Sequence, residues 1–295
     1  MITLRNALSW LAYPVLMLGG LAAVRASLAA GVPPTVALVA LQTAIIVIAA
    51  VLERLMPEHV SWNRSRHDLL ADALHFVISG ILVSGTLRLV IFHAVPSLGL
   101  WPARWPVAVQ LIMALGLADA GSYLTHVVTH RVAWLWPIHA IHHSARRLYW
   151  LNSTRMHPLD AASTVIISLV PLAILGVPTE VLALFDAFAI VHLVLQHSNI
   201  RLRHGALSWV VATAEFHRWH HSPERAEGEH NYASFLSLWD QIFRTFRMPA
   251  GREMPETVGL YDGATLPDGW TGQTRYPFRA WRKRHSGLAF KPDPG

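Results

Sequence analysis

The 295-residue sequence contains no cysteine. That absence excludes disulfides and thiolate metal ligands together, so any metal the chain holds is held by nitrogen and oxygen. Charge is also scarce, at 14% of residues against about 25% in an average soluble domain. No His-Glu-x-x-His string is present, which argues against a zinc protease using glutamate as general base. No basic stripe alternates with aromatic residues, so the net charge of +6 is not read as a nucleic-acid footprint. There is no internal repeat.

What is abundant is apolar surface. Hydrophobic residues make up 53% of the chain, and mean hydropathy is +0.36. A helix needs about 20 mainly apolar residues to cross the hydrocarbon core, and four runs qualify: Ala7 to Leu28, Pro34 to Leu52, Leu69 to Val95 and Val107 to Val128. The first run is long, lacks a small-x-small cleavage site and is followed closely by another, so it reads as a retained span and not a secretory signal. A further stretch, Ala161 to Leu195, is broken by Pro171 and by Gly176-Val177-Pro178. It is expected to be a helical hairpin that is buried, re-entrant or shallowly embedded. The fold class is therefore an all-α integral membrane protein with about four spans, this hairpin and a cytoplasmic helical cap carrying the histidines. Residues 1–105 would form the N-terminal transmembrane part, 106–249 the catalytic part and 250–295 a loosely structured cytoplasmic tail.

Orientation follows from arginine. Arg54, Arg64 and Arg66 lie between the second and third runs, whereas only Arg104 lies between the third and fourth. The positive-inside rule makes the former loop cytoplasmic and, by parity, everything after the fourth run as well. Arg25 falls at the opposite end of the first run, where it could snorkel. Trp10, Trp62, Trp101 and Trp105 fall near run ends as interfacial anchors would, while Trp134, Trp136 and Trp219 are placed to pack around the histidines.

The 18 histidines are not evenly spread. His126-x-x-x-His130 ends the fourth run, followed by His139-x-x-His142-His143 and later by His217-x-x-His220-His221. Helical positions three or four apart share a face, so each cluster points several imidazoles one way, as a metal site requires. Pro137 suits the first turn of the second cluster's helix, and Pro223 ends that of the third. His197, in Gln196-His197-Ser198-Asn199 at the end of the hairpin, is a further ligand by its position at the membrane boundary. His192 reads as a ligand, an orienting partner or a buried histidine. Asp119, on the face of Tyr123, His126 and His130, reads equally as acceptor for a ligand imidazole or as a helix-stabilising contact. His157 and His230 are isolated and read as structural, although Asn231 could contact a metal or water. His59, His67, His75, His93, His204 and His285 show no ligand spacing.

Nine imidazoles exceed the three or four of a zinc site, whereas two metals would share them comfortably. Histidines gathered at one membrane edge do not face each other across spans as a dihaem cytochrome needs. Redox-active irons beside a lipid-facing cavity suggest oxygen activation. The alternative is a zinc-dependent membrane lipid hydrolase or non-redox metal-binding protein, for which Glu215 is the single nearby carboxylate.

The strings Asp119…Tyr123-x-x-His126-x-x-x-His130, Leu135-Trp136-x-x-His139-x-x-His142-His143-Ser144, Arg155-x-His157-Pro158, Gln196-His197-x-Asn199, His217-x-x-His220-His221-Ser222 and Asn231-Tyr232…Trp239-Asp240-x-Ile-Phe243-x-Thr245-Phe246 resemble the fatty acid hydroxylase superfamily, also called the sterol desaturase family. The resemblance runs from Asp119 to about Pro249, with weaker agreement around Asp68. It implies a membrane di-iron monooxygenase or desaturase that oxidises a lipid C–H bond with O2 and external electrons. It further implies that His126, His130, His139, His142, His143, His197, His217, His220 and His221 are the catalytic metal ligands, holding two iron ions. The chain departs from the family's pattern at Ala233 and Arg244, where members often carry glycine. No His-Pro-Gly-Gly haem motif appears, so the expected electron donor is a separate ferredoxin-like or cytochrome b5-like protein with its reductase. The expected substrate is a membrane lipid, and His142→Ala is expected to abolish activity.

Overall fold

Every apolar run forms a helix, and the computed structural model, which describes residues 4–249, 251–252 and 254–285, has no named strand among them. Helix α1 (Leu4–Ala29) leads into α2 (Pro34–Leu55), where Pro34 occupies a first-turn position at which its missing N–H costs nothing. Helix α3 (Leu69–Ala94) contains a π-helical stretch, Phe76–Ser84, in which Ser84 Oγ donates to the Ser79 carbonyl at 2.8 Å. Helix α4 (Val107–Arg131) again follows a proline and ends at the first histidine pair.

The broken stretch after α4 is deeper than its punctuation suggests. It forms α6 (Pro158–Leu175) and α7 (Thr179–His197), following the short α5 (Trp136–His143). Pro171 stays inside α6, and the turn comes at Gly176, whose φ of +82° is a conformation that glycine adopts without strain. At the tip, Leu98 N–H donates to the Ile174 carbonyl and Trp101 N–H to the Leu175 carbonyl, both at 2.8 Å. Residues 98 and 101 belong to the loop before α4, at the end of that helix opposite its histidines. The hairpin therefore runs the same depth as α4. Eighteen residues of α6 rise about 27 Å, close to the thickness of the hydrocarbon core. Among the described residues six helices are long and apolar enough to cross a membrane, and the protein is a multi-pass membrane protein. Adding two crossings preserves parity, so the histidine-bearing ends stay on one edge.

Helix α7 is the centre of the bundle. It buries 61% of its apolar window, against 17% for α3, so α3 is the helix left for lipid to cover. The core joins Tyr13 and Met17 of α1, Leu41 and Ile45 of α2, Ala114 and Ala118 of α4, Leu169 and Leu172 of α6, and Phe185 and Leu195 of α7. Helices α4 and α6 approach so closely at Gly121 that a Cβ there would lie 2.6 Å from the Ile167 carbonyl oxygen. Near the tip, Arg25 lies 3.7 Å from Glu180, both exposed.

At the histidine-bearing edge, α8 (Ala214–His220), α9 (Arg225–Gly228), α10 (Leu238–Ile242) and α11 (Trp270–His285) follow. Of the C-terminal stretch expected to be loose, the described residues 254–285 are held by specific contacts. Gln273 is fully buried with its Oε1 2.9 Å from His75 Nε2, while Trp62 Nε1–H donates to the Glu256 carbonyl at 2.9 Å. Trp281 stacks on Trp134 at 4.6 Å, so Trp134 supports the tail and not the histidine site. Proline and glycine content misled here because α11 gains its stability from docking, which composition does not register. Of the expected interfacial tryptophans, Trp10 and Trp105 are exposed, whereas Trp62 and Trp101 are buried, the latter donating to Gln110 Oε1.

Candidate metal centre

The three histidine clusters and His197 meet in one buried chamber. One group comprises His126, His130, His139, His143 and His220, the other His142, His197, His217 and His221. Within each group one nitrogen per residue lies within 4.8 Å of all the others, and every member is buried except His126, which is partly so. Helical spacing explains most contributions: α4 supplies two imidazoles one turn apart, α5 three, and α8 two with a third, His221, from its C-cap. The adjacent pairs His142-His143 and His220-His221 split between the two groups because neighbouring helical positions diverge by about 100°.

The second partners of the rings fix which nitrogen faces inward. Nδ1–H of His126 donates to the Tyr232 carbonyl at 2.6 Å, Nδ1–H of His220 to the His230 carbonyl at 2.7 Å, and Nδ1–H of His139 to Asp160 Oδ2 at 2.8 Å. Their Nε2 atoms are buried without any hydrogen-bond partner. Such outward donation orients a ligating imidazole and raises its basicity. Four contacts join Nε2 to Nε2: His130–His143 at 3.1 Å, His142–His197 at 3.4 Å, His197–His217 at 3.0 Å and His217–His221 at 3.0 Å. Two nitrogens each about 2.1 Å from one ion at right or tetrahedral angles are about 3.0–3.4 Å apart. The spacing and the orphaned lone pairs fit two metal ions, each among four or five imidazoles.

Burial and then the charge of neighbouring imidazoles drive the pKa of His142, His143 and His220 well below 6.5, and His217 and His221 behave alike. The rings therefore stay neutral with ligand lone pairs available. Trp136 closes one side, 5.0 Å from the His130 ring, with its Nε1–H donating to Asp262 Oδ2 at 2.7 Å. Trp219 is buried but lies under the Arg252 guanidinium, away from the imidazoles.

Asp119 does not meet a histidine. It accepts the N–H groups of Ser234, Phe235 and Leu236 at 2.8–2.9 Å, and Asp240 accepts those of Tyr232 and Ala233. These carboxylates hang the 232–236 loop, whose Tyr232 carbonyl in turn orients His126. Asn231, at φ +61°, holds the Phe216 and Arg247 carbonyls through Nδ2 and contributes no atom to either group. His192 accepts the Tyr13 hydroxyl at 2.7 Å and donates to the Ser234 carbonyl at 2.9 Å, so it is a buried structural histidine. His157 caps α6 by accepting Leu159 N–H, and the His230 ring stays outside the chamber. Glu215, the one carboxylate offered to a hydrolase, pairs with His204 at 3.2 Å instead. The carboxylate the site does use, Asp160, went unnoticed in sequence. Its signal was a lone acid in the first turn of an otherwise apolar helix, directly after the His157-Pro158 cap. His59, His67, His75, His93 and His204 all lie outside the two groups, and the His285 side chain lies outside the described residues.

Ionic contacts hold this edge to α3. Arg147 makes a forked pair with Asp68 at 2.6 and 2.9 Å, and Arg155 pairs with Asp72 while donating to Ser144. Burial opposes ionisation of Asp68, but the guanidinium outweighs it and holds the carboxyl below its ordinary value.

The fatty acid hydroxylase family matches residues 111–245. The chain is 32% identical over 244 residues to ornithine lipid hydroxylase OlsE of Rhizobium tropici, covering 79% of this chain and 73% of that protein. Alkylglycerol monooxygenase of Danio rerio is 28% identical over 187 residues, 62% of this chain and 39% of its own length. The Homo sapiens alkylglycerol monooxygenase is 33% identical over 128 residues, 43% of this chain and 28% of its own. The chain thus spans well under half of these two longer relatives. No solved structure matches.

Proposed function

The chain belongs to the fatty acid hydroxylase family and is a membrane oxidoreductase acting on lipid C–H bonds, and on that premise we propose that its nine converging histidines hold two iron ions. The observation that carries the assignment is the pair of imidazole groups with neutral, inward-facing Nε2 atoms. His126, His130, His139, His143 and His220 would hold one iron, and His142, His197, His217 and His221 the other. Bound there, the irons would supply reduction of O2, with two external electrons, and the oxidising power that C–H cleavage needs.

The chain's own residues supply everything else. Asp160 and the Tyr232 and His230 carbonyls hold protons at Nδ1 of His139, His126 and His220, so those imidazoles present one fixed face. The apolar helices and Trp136 keep bulk water from the chamber, which protects a reactive centre from side reactions. We place this edge on the cytoplasmic side, since Arg54, Arg64 and Arg66 precede α3 on that edge. Electrons would come from a ferredoxin-like or cytochrome b5-like carrier. As substrate we propose a polar membrane lipid, with an aminolipid of the ornithine-lipid type to be tried first, because an ornithine lipid hydroxylase matches along most of both chains.

Purified protein from iron-replete cells is expected to carry about two irons per chain and to oxidise lipid only with both O2 and a reductant. One zinc per chain, or product formed anaerobically, would overturn the reading.

A further inference from the structure

Resting on that lipid reading, we propose that the groove beside the metal chamber, lined by Arg131, Arg225, Arg244, His230 and Phe243, binds the anionic head group of a membrane lipid, with Arg244 as its specificity-determining residue. The groove has a volume of about 530 Å³. It adjoins the metal centre through short links: Arg131 follows His130, the His230 carbonyl accepts His220 Nδ1–H, and Thr245 on its wall bonds the Tyr123 hydroxyl at 2.9 Å. Glu229 also lines the groove, and it neutralises Arg225 locally at 3.0 Å. Arg131 and Arg244 have no carboxylate partner within 4.0 Å among the described residues, so they bring uncompensated positive charge. A phosphate or carboxylate is the group that guanidinium forks recognise.

Two independent observations support the site, the first pointing to Arg244 and the second to a lipid. First, Arg244 sits at φ +60°, just past the end of α10, where Thr245 N–H and Phe246 N–H return to the Asp240 carbonyl at 2.8 and 3.0 Å. Glycine fills that position without strain, whereas a side chain there is strained, and strain of this kind collects where a side chain has work to do. Second, the groove is bordered by exposed apolar residues: Trp209, Val210, Leu238, Ile242 and Phe243, between 47% and 60% exposed. They form one surface, since Ser237 N–H donates to the Val210 carbonyl and Gln241 Nε2–H to the Trp209 carbonyl, and Phe243 stacks on Tyr123 of α4 at 5.5 Å. Such a patch beside the end of a membrane-spanning helix belongs in the interfacial layer, at head-group depth. A smaller cavity of about 190 Å³ between Arg146 and Arg155 is less suited, because those guanidiniums already pair with Asp268 and Asp72.

The test uses full-length protein in phosphatidylcholine nanodiscs carrying traces of spin-labelled phosphatidylglycerol or phosphatidylcholine. Wild type is expected to immobilise the anionic probe preferentially, Arg244→Gly to lose about fivefold of that preference, and Arg244→Lys to keep most of it. Arg244→Gly should keep wild-type melting temperature and metal content, because it removes backbone strain, so lost preference cannot be ascribed to unfolding. An unchanged preference in Arg244→Gly overturns the proposal. Displacement of the probe by millimolar inorganic phosphate overturns the lipid assignment in favour of a soluble anion. A variant that retains lipid preference but needs more electron-donor protein for half-maximal turnover overturns it in favour of a protein dock. Arg244-dependent binding without any O2-dependent turnover would sustain the groove and defeat the oxidase reading. Turnover whose KM for anionic lipid ignores Arg244→Gly would do the reverse.

Discussion

An imidazole becomes a dependable ligand when its second nitrogen is occupied, and this centre shows unequal solutions to that requirement. His139 alone is held by a carboxylate, whereas His126 and His220 use backbone carbonyls. Asp160→Asn keeps an acceptor oxygen but removes the charge, so metal affinity or turnover is expected to fall about 10- to 100-fold, with less loss than His139→Ala. Titrating metal back into stripped protein and following the iron charge-transfer absorbance would measure it. Acid should act on the whole centre. His142, His143, His217, His220 and His221 have folded pKa values well below the 6.5 of an unfolded histidine, chiefly through burial. The unfolded chain therefore binds protons first as pH drops. Stability of the metal-free protein should be full above about 6.5 and decline as pH falls from there toward the folded values, seen as a falling melting temperature. Eight of the nine imidazoles were legible as a spacing pattern, because a helix repeats its face every three or four residues, and His197 was legible only by its place at the membrane boundary. Asp160 was not, since its partner lies on another helix.

At the scale of elements, carboxylates do much of the joining. Asp119 on α4 accepts three backbone N–H groups from the 234–236 loop. Sequence placed Asp119 on the histidine face correctly by helical phase, yet its partners come from more than a hundred residues away, which phase cannot show. Asp119→Ala would orphan the buried Phe235 donor at about 1–3 kcal/mol and the half-buried Ser234 and Leu236 donors at less, so the variant is expected to melt below wild type in a detergent thermal-shift assay. Asp119→Asn, which keeps the acceptor oxygen, should lose less. Within the bundle, Gly121→Val should prevent the close approach of α4 and α6, because any Cβ at that position collides with the Ile167 carbonyl. Reduced melting temperature with metal lost in parallel is the expected result. Arg88 of α3 paired with Asp186 of α7 shows the same logic in the apolar region, where a charge is tolerated beside its counter-charge.

For the molecule as a whole, depth in the membrane is the quantity that matters. The absence of cysteine makes it easy to measure, since any introduced thiol is unique. Glu180→Cys, exposed at the hairpin tip, and Glu224→Cys, exposed between α8 and α9, are expected to react with an impermeant maleimide from opposite faces of the membrane. Reaction of both from one face would contradict the full-depth hairpin. Deleting α11 should lower stability and not merely shorten a tail, because it removes Gln273 from His75 and Trp281 from Trp134. Helical class, membrane residence and the nine histidines followed from sequence alone, because hydropathy, run length and helical period are local properties that a chain carries with it. Tertiary structure alone decided that the hairpin runs beside α4 for its full depth, that α11 docks, that Asp119 hangs a loop and that neighbouring histidines divide between two groups. Each of these depends on which distant segments become neighbours, and that is settled by packing and by the pairing of buried polar groups.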